Sequence, residues 1–253
     1  MRNCVLLAGR AGGTATMFGT DDPRTRGRHV RQLPGSGGTG DVVLAGVVHD
    51  HPASAHRVRT VVEATDPDVL ALELPPLAVP LFERYADDGG VSASGEEMSV
   101  GVRAVDAADV VGIDGPSLGF LARLARTLRR SDPSLSTVRT VLRAVLSVSA
   151  HAVACRAAAL LGAPTAAGLA VDAPVEHDVD SEDAPERQAD DEQRQIRQAR
   201  AVLGAFGKAD PVRVRDETRE RHMADRLAAL RERGDVVAVV GVDHLDGLVA
   251  GLA

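Results

Sequence analysis

Hydrophobic and polar positions along this chain sort into two kinds of segment. Short β-branched apolar runs occur at 42–48, 69–74, 109–113 and 235–240. Between them lie longer stretches in which apolar residues recur every three or four positions. An apolar run without alternation fits a strand covered on both faces, and a 3.6-residue period fits an amphipathic helix. Strands joined by helical crossovers run parallel. The expected fold is α/β: a central, largely parallel sheet flanked by helices, with a helical insertion in the middle.

The segment 41–74 gives the clearest unit. Its first run stops at His49-Asp50-His51, and Pro52 opens a helical pattern with Val58, Val61 and Val62 on one face. Asp66-Pro67 ends that helix, since proline lacks the backbone donor and restricts the residue before it. Further helices are expected over 77–85, over 94–104 behind a Ser94 cap, and over 184–206 and 214–233, with a short one after His244. An acidic, proline-broken surface loop is expected over 164–185, with His177 in a solvated charge run. The helices over 117–130 and 134–161 carry apolar stripes, Leu118, Leu121, Leu124 and Leu128 in one and Val138, Val141, Leu142 and Val145 in the other. Core packing is the first use expected of them, and a homodimer contact through these central helices the second. Residues 1–38 show no period and are expected to form a disordered extension, with the domain over 39–253. The glycines of 35–40 lack the Gly-Lys-Ser/Thr ending of a phosphate loop and precede a strand, so a flexible linker is expected there.

Chemistry-bearing residues fall at the ends of the apolar runs. His49 and Glu73 close two strands of one crossover unit, and ligands of open α/β sheets bind at the carboxyl ends of their strands. An acid inside an apolar run must find a donor, a cation or a proton, so Glu73 needs a partner. Gly46-x-x-His49 has a second copy, Gly241-x-x-His244, which also closes an apolar run. A glycine three residues before each histidine would let the chain turn sharply or a ligand approach closely. Asp114 ends the third run and either joins the site or caps the next helix. Arg219 lies one turn before Met223 on the inward side of its helix, which suits binding a carboxylate or a developing oxyanion; a surface pair with Asp216 or Glu220 is the alternative.

These motifs resemble the TraB/PrgY family, which is related to the Tiki proteins and more distantly to erythromycin-esterase and ChaN-like proteins. The likeness rests on Gly46-Val-Val-His49 with Ser54, on Pro67-Asp68 with Glu73-Leu74, and on Val240-Gly241 with His244 and Gly247. Arg219 and Met223-Ala224 match part of a helix motif that precedes the last strand. The resemblance covers roughly residues 41–247.

Composition narrows the partners. The net charge is −7, which gives no overall electrostatic footprint for nucleic acid. Arginine is abundant while lysine occurs once, at Lys208. Cys4 and Cys155 are isolated, which points to a reducing, cytoplasmic setting with unpaired thiols. The apolar portion after Arg2 is too short for a signal peptide. No uninterrupted apolar run reaches the ~20 residues of a membrane span. The nearest stretch, 138–161, carries Arg139, Arg143 and Arg156.

His49, Glu73 and His244 have the ligand types of a divalent-metal hydrolase, and the resemblance to the Tiki proteins implies a peptidase-like one, acting on a peptide or small-molecule substrate. Neither a HExxH zinc motif nor a Gly-x-Ser-x-Gly elbow is present. Two alternatives stay open. One is a metal-independent esterase-like hydrolase in which a His/Glu pair activates water, as the resemblance implies. The other is a non-catalytic module that binds a peptide signal or a cofactor; four phenylalanines and one tyrosine make a haem pocket a poor fit.

Overall fold

A computed structural model describes residues 22–87, 95–115, 118–131, 134–161, 177–206 and 210–253. Five strands form one sheet: β1 (Val30–Leu33), β2 (Val42–Val47), β3 (Val69–Leu72), β4 (Asp109–Gly112) and β5 (Val236–Gly241). Their spatial order is β1-β2-β5-β3-β4, with β1 antiparallel to β2 and every other pairing parallel. The α/β architecture expected from the pattern is therefore present, as a mixed, mostly parallel sheet.

The described helices are α1 (Pro52–Thr65), α2 (Val79–Asp87), α3 (Glu96–Ala104), α4 (Leu118–Ser131), α5 (Leu135–Leu161), α6 (Pro185–Phe206), α7 (Asp210–Leu230) and α8 (Leu245–Leu252). Alternate strand residues serve opposite faces, because successive side chains on a strand point to opposite sides. Val42, Leu44, Val236, Ala238 and Val240 pack with Met223, Leu227 and Leu248 of α7 and α8. Val43, Ala45, Val237 and Val239 pack with Val58, Val61 and Val62 of α1 and Met98 of α3. This two-sided burial is why the runs carry no polar alternation.

Local signals explain the boundaries. Pro52 opens α1, the ring of His51 accepts from Ala53 N–H as its cap, and Asp66 closes it in the left-handed region. Asp210-Pro211 forms the first turn of α7, where a missing amide proton costs nothing. The predicted Ser94 cap falls outside the described residues; Gly95 is the cap position of α3.

The expected unpacked extension is corrected for residues 22–38. β1 pairs with β2, His29 O accepts from Gly46 N (2.6 Å), and Arg24 O accepts from the buried Arg57 (2.8 Å). Residues 1–21 lie outside the description. The glycine-rich linker is a tight connection between β1 and β2: Gly37 and Gly38 adopt positive φ, and Gly40 N donates to Arg231 O (2.8 Å). The stripe on α5 is also only partly core. Val141, Ala152 and Cys155 are buried, whereas Leu135, Leu142, Leu146 and Leu160 face outward. Leu135–Ala157 is long and apolar enough, by length and composition, to cross a membrane.

Candidate functional site

The carboxyl ends of β2, β5, β3 and β4 lie side by side, which sets the residues that follow them along one edge. Glu73 follows β3 and donates its backbone N–H to Val239 O (3.0 Å), so its side chain reaches across β5. Its Oε2 accepts from Gly241 N (2.6 Å) and its Oε1 from Arg219 Nη2 (2.6 Å). The same guanidinium donates from Nε and Nη2 to Asp114 (3.1 and 2.9 Å), two residues past β4. Arg219 thus sits between two carboxylates whose side chains are only 6 and 10 % exposed. Burial opposes its charge, but Asp114 and Glu73 outweigh that and hold its proton more tightly than usual. The partner Glu73 needed is this cation, and the alternative of a surface pair for Arg219 is excluded.

His244 joins the same group. Its Nδ1 meets Glu220 Oε1 (3.0 Å), and its Nε2 lies 3.4 Å from both Glu73 Oε1 and Arg219 Nη1. Burial works against the imidazolium, yet the Glu220 hydrogen bond and the Glu73 charge prevail and raise its pKa. Gly247 supports this pair from behind, since a Cβ there would strike the Glu220 carboxylate. The two glycines of the repeated motif have unequal roles, and neither has positive φ. A Cβ on Gly46 would lie 2.5 Å from Leu245 Cδ1, so close packing demands glycine there. A Cβ on Gly241 would meet nothing nearer than 3.5 Å, so its contribution is the backbone N–H given to Glu73.

His49 follows β2 but turns to another partner. A turn closed by His51 N to Val48 O (3.2 Å) carries Asp50 in the left-handed region, φ 58°, which aspartate tolerates. The two flanking histidines consequently separate. His49 Nδ1 meets Glu97 Oε1 of α3 (2.7 Å), and Asp50 N donates to the other oxygen (3.1 Å). The Glu97 hydrogen bond, despite partial burial, raises the His49 pKa to about 9, with a further contribution from the Glu73 charge. Its side chain is 58 % exposed, and Nε2 has no hydrogen-bond partner among the described residues. Beside Asp114 and Arg219 a cavity of about 150 Å³ is walled by Phe120, Val145 and Val148, room for an apolar side chain of a ligand.

The expected ligand set of His49, Glu73 and His244 is therefore not assembled. Among the described residues, the group whose ligand atoms all lie within 4.8 Å of one another is His51, His177 and Asp191 instead. At the expected place the Arg219 guanidinium occupies the acceptor side of Glu73. Their carboxylate partners hold both imidazoles toward the protonated form, so a cation here would compete with a proton.

Against models of protein families, curated proteins and solved structures, the chain finds no match.

The group of His51, His177 and Asp191 could hold a metal ion by residue type and spacing. In this structure the three satisfy one another. His51 Nδ1 accepts from Ala53 N (3.1 Å), which leaves Nε2 to donate to Asp191 Oδ2 (3.3 Å). Gln195 Nε2 donates to Asp191 Oδ2 (2.7 Å) and to His177 Nδ1 (2.8 Å), and His177 Nε2 donates to His49 O (3.0 Å). Burial lowers the His51 pKa to about 4, so its ring is neutral at pH 7. Ligation through Nε2 would move that proton to Nδ1 and forfeit the cap, a cost of about 1 kcal/mol. Structural zinc sites gain ~10–16 kcal/mol, so the cap does not bar a metal. His177 is not in a solvated charge run, as its sequence neighbours implied; it joins α6 to the turn that carries His49.

Sequence reading also passed over Glu97, Glu192 and Asp191. Glu192 accepts from Ser54 Oγ (2.5 Å) and pairs with Arg57 in a contact buried on both sides. Arg57 in turn donates to Gly46 O (2.7 Å), which ties α6 to the end of β2. The available signal was an Arg among the apolar positions of α1 and acids on the apolar side of α6.

Proposed function

We propose that this protein is a hydrolase of the TraB/Tiki-like kind that works by His–carboxylate acid–base chemistry on an amide or related acyl bond of a peptide or small molecule. The observation that carries it is the pair of imidazoles, each with a carboxylate on Nδ1, that follow the adjacent strands β2 and β5, with Arg219 against the second of them. A carboxylate at Nδ1 fixes each ring, with Nε2 as the atom for proton transfer; in His244 that atom sits 3.4 Å from Glu73 and Arg219. His244, once deprotonated, takes a proton from water. Arg219, positioned by Glu73 and Asp114, stabilises the oxyanion, a role typically worth about 10²–10³ in rate for one donor. His49, protonated up to about 9, delivers a proton to the leaving group. The apolar cavity beside Arg219 takes a neighbouring side chain of the substrate.

A pH–rate profile over amide and ester libraries tests this. Activity should rise as pH passes the raised pKa of His244 and fall again above about 9 as His49 loses its proton. Loss of the alkaline limb in His49→Gln, with the fold retained, supports the assignment. Full activity in His244→Ala refutes it.

A divalent ion enters as a second reading through the donors of His51, His177 and Asp191. An ion bound there would set the His49 turn, since His177 also holds the His49 carbonyl. Metal content of untagged protein, compared with that of Asp191→Asn, distinguishes the two readings.

A further inference from the structure

A cleft of about 390 Å³ lies between the segment 26–31, helix α6, and Val242 with Leu245 and Asp246 at the start of α8. Arg26, Arg28, Arg31, Arg197 and Arg200 line it, against a single acid, Asp246. Five guanidiniums in one cleft are not what composition would place there, because the chain as a whole carries −7. Arg28, Arg197 and Arg200 are exposed and have no acidic partner among the described residues. Elsewhere on the same elements arginines are paired: Arg24 with Asp22, Arg187 with Asp183, and Arg194 with Asp191. Like charges that outnumber the acids around them repel one another, and a bound anion lowers that cost.

The donor type narrows the anion. Guanidinium presents paired N–H groups that match the oxygens of phosphate two at a time. The volume lies within the usual range of small-ligand sites, roughly 300–1,000 Å³, and exceeds what one orthophosphate fills. No phenylalanine or tyrosine lines the cleft, so its recognition rests on the guanidiniums. The positive potential also reaches His29 in its wall: burial first, then Arg57, Arg200 and Arg31, push its pKa down to about 4 despite the opposing Glu192.

We infer that this cleft is a binding site for a compound carrying two or more linked phosphates, recognised through the phosphate chain. The site goes beyond the proposed hydrolysis and does not depend on it. One wall, Val242 with Leu245 and Asp246, flanks His244, so occupancy is placed to bear on the neighbouring site.

Calorimetric titration of the full chain at low ionic strength tests the site. Tripolyphosphate should bind saturably at one site, more tightly than pyrophosphate, with orthophosphate and sulfate weakest. Arg197→Glu/Arg200→Glu lies on an exposed helix face and should weaken tripolyphosphate at least roughly tenfold with unchanged circular dichroism. Arg28→Glu provides a second, independent reduction should the double variant misfold. The control is Arg126→Glu/Arg129→Glu, at exposed arginines of α4, which should change affinity by less than about twofold. Adenosine triphosphate separates the sources: affinity equal to tripolyphosphate assigns a free phosphate chain, and tighter binding assigns a nucleotide's. Absence of saturable tripolyphosphate binding overturns the inference, and so does equal weakening by the α4 control.

Discussion

Replacing Arg219 with leucine removes the one cation shared by Glu73 and Asp114 while keeping an apolar stem of similar reach. The guanidinium makes contacts of 2.6, 2.9 and 3.1 Å to carboxylates that are almost fully buried. Breaking a buried pair by deleting one partner typically costs about 3–5 kcal/mol, because the other charge is left without compensation. Arg219 keeps some access to water, with its side chain 23 % exposed, so the lower end, about 3 kcal/mol, is expected. With a urea slope of about 3 kcal/mol/M for a chain of this size, the midpoint should fall by about 1 M. Adding Glu73→Gln to Arg219→Leu should restore at least about 1 kcal/mol, since one of the stranded charges is gone. The deficit should also narrow as pH falls, when protonation discharges the unpaired carboxylates. Urea unfolding of the wild type, both single variants and the double variant measures these terms. A loss under about 1 kcal/mol in Arg219→Leu, or strict additivity in the double variant, would refute the linked carboxylate–guanidinium site.

Glu192→Ala strands the Arg57 guanidinium, 1 % exposed, and should cost about 3–5 kcal/mol in the same unfolding assay. A loss within surface scatter would mean that α6 is not clamped to α1 through this pair. For His49 the raised pKa fixes a sign: its pairing with Glu97 stabilises the fold fully below the ordinary pKa of about 6.5, and that contribution is lost as pH rises through about 9. Because the ring is more than half exposed, the energy is small, and NMR titration is the sharper readout. Glu97→Gln should return His49 toward its ordinary value, whereas a wild-type His49 titrating at or below that value contradicts the pairing. Removing the chain through Leu33 strips β1 and the acceptors for Gly46 N and Arg57 Nε, so Tm should fall by several degrees at roughly 2–4 °C per kcal/mol. An unchanged Tm would restore the view of this segment as an unpacked extension.

The strands and their crossovers were legible because they are local patterns: a fully buried strand must be apolar on both faces, and only Val42–Val47, Val69–Leu72 and Val236–Gly241 read that way throughout. The need of Glu73 for a cation was equally local, since an acid in such a run cannot stay bare. The helix period turned Arg219 inward, but its pairing with Glu73 appeared only in the structure. β1 was missed for the opposite reason: an edge strand buries little, and Val-Arg-Gln-Leu carries no apolar period. Only the tertiary structure decided that β5 inserts between β2 and β3, which sets Glu73 against Gly241 and His244. It also decided that the left-handed Asp50 sends His49 to α3 and His51 to α6. Partners such as Glu97, Asp191 and Glu192 lie far along the chain from the histidines and the arginine they bind. Pairing over that separation leaves no trace in local periodicity, because it is the packing of whole helices on the sheet that brings the side chains within reach.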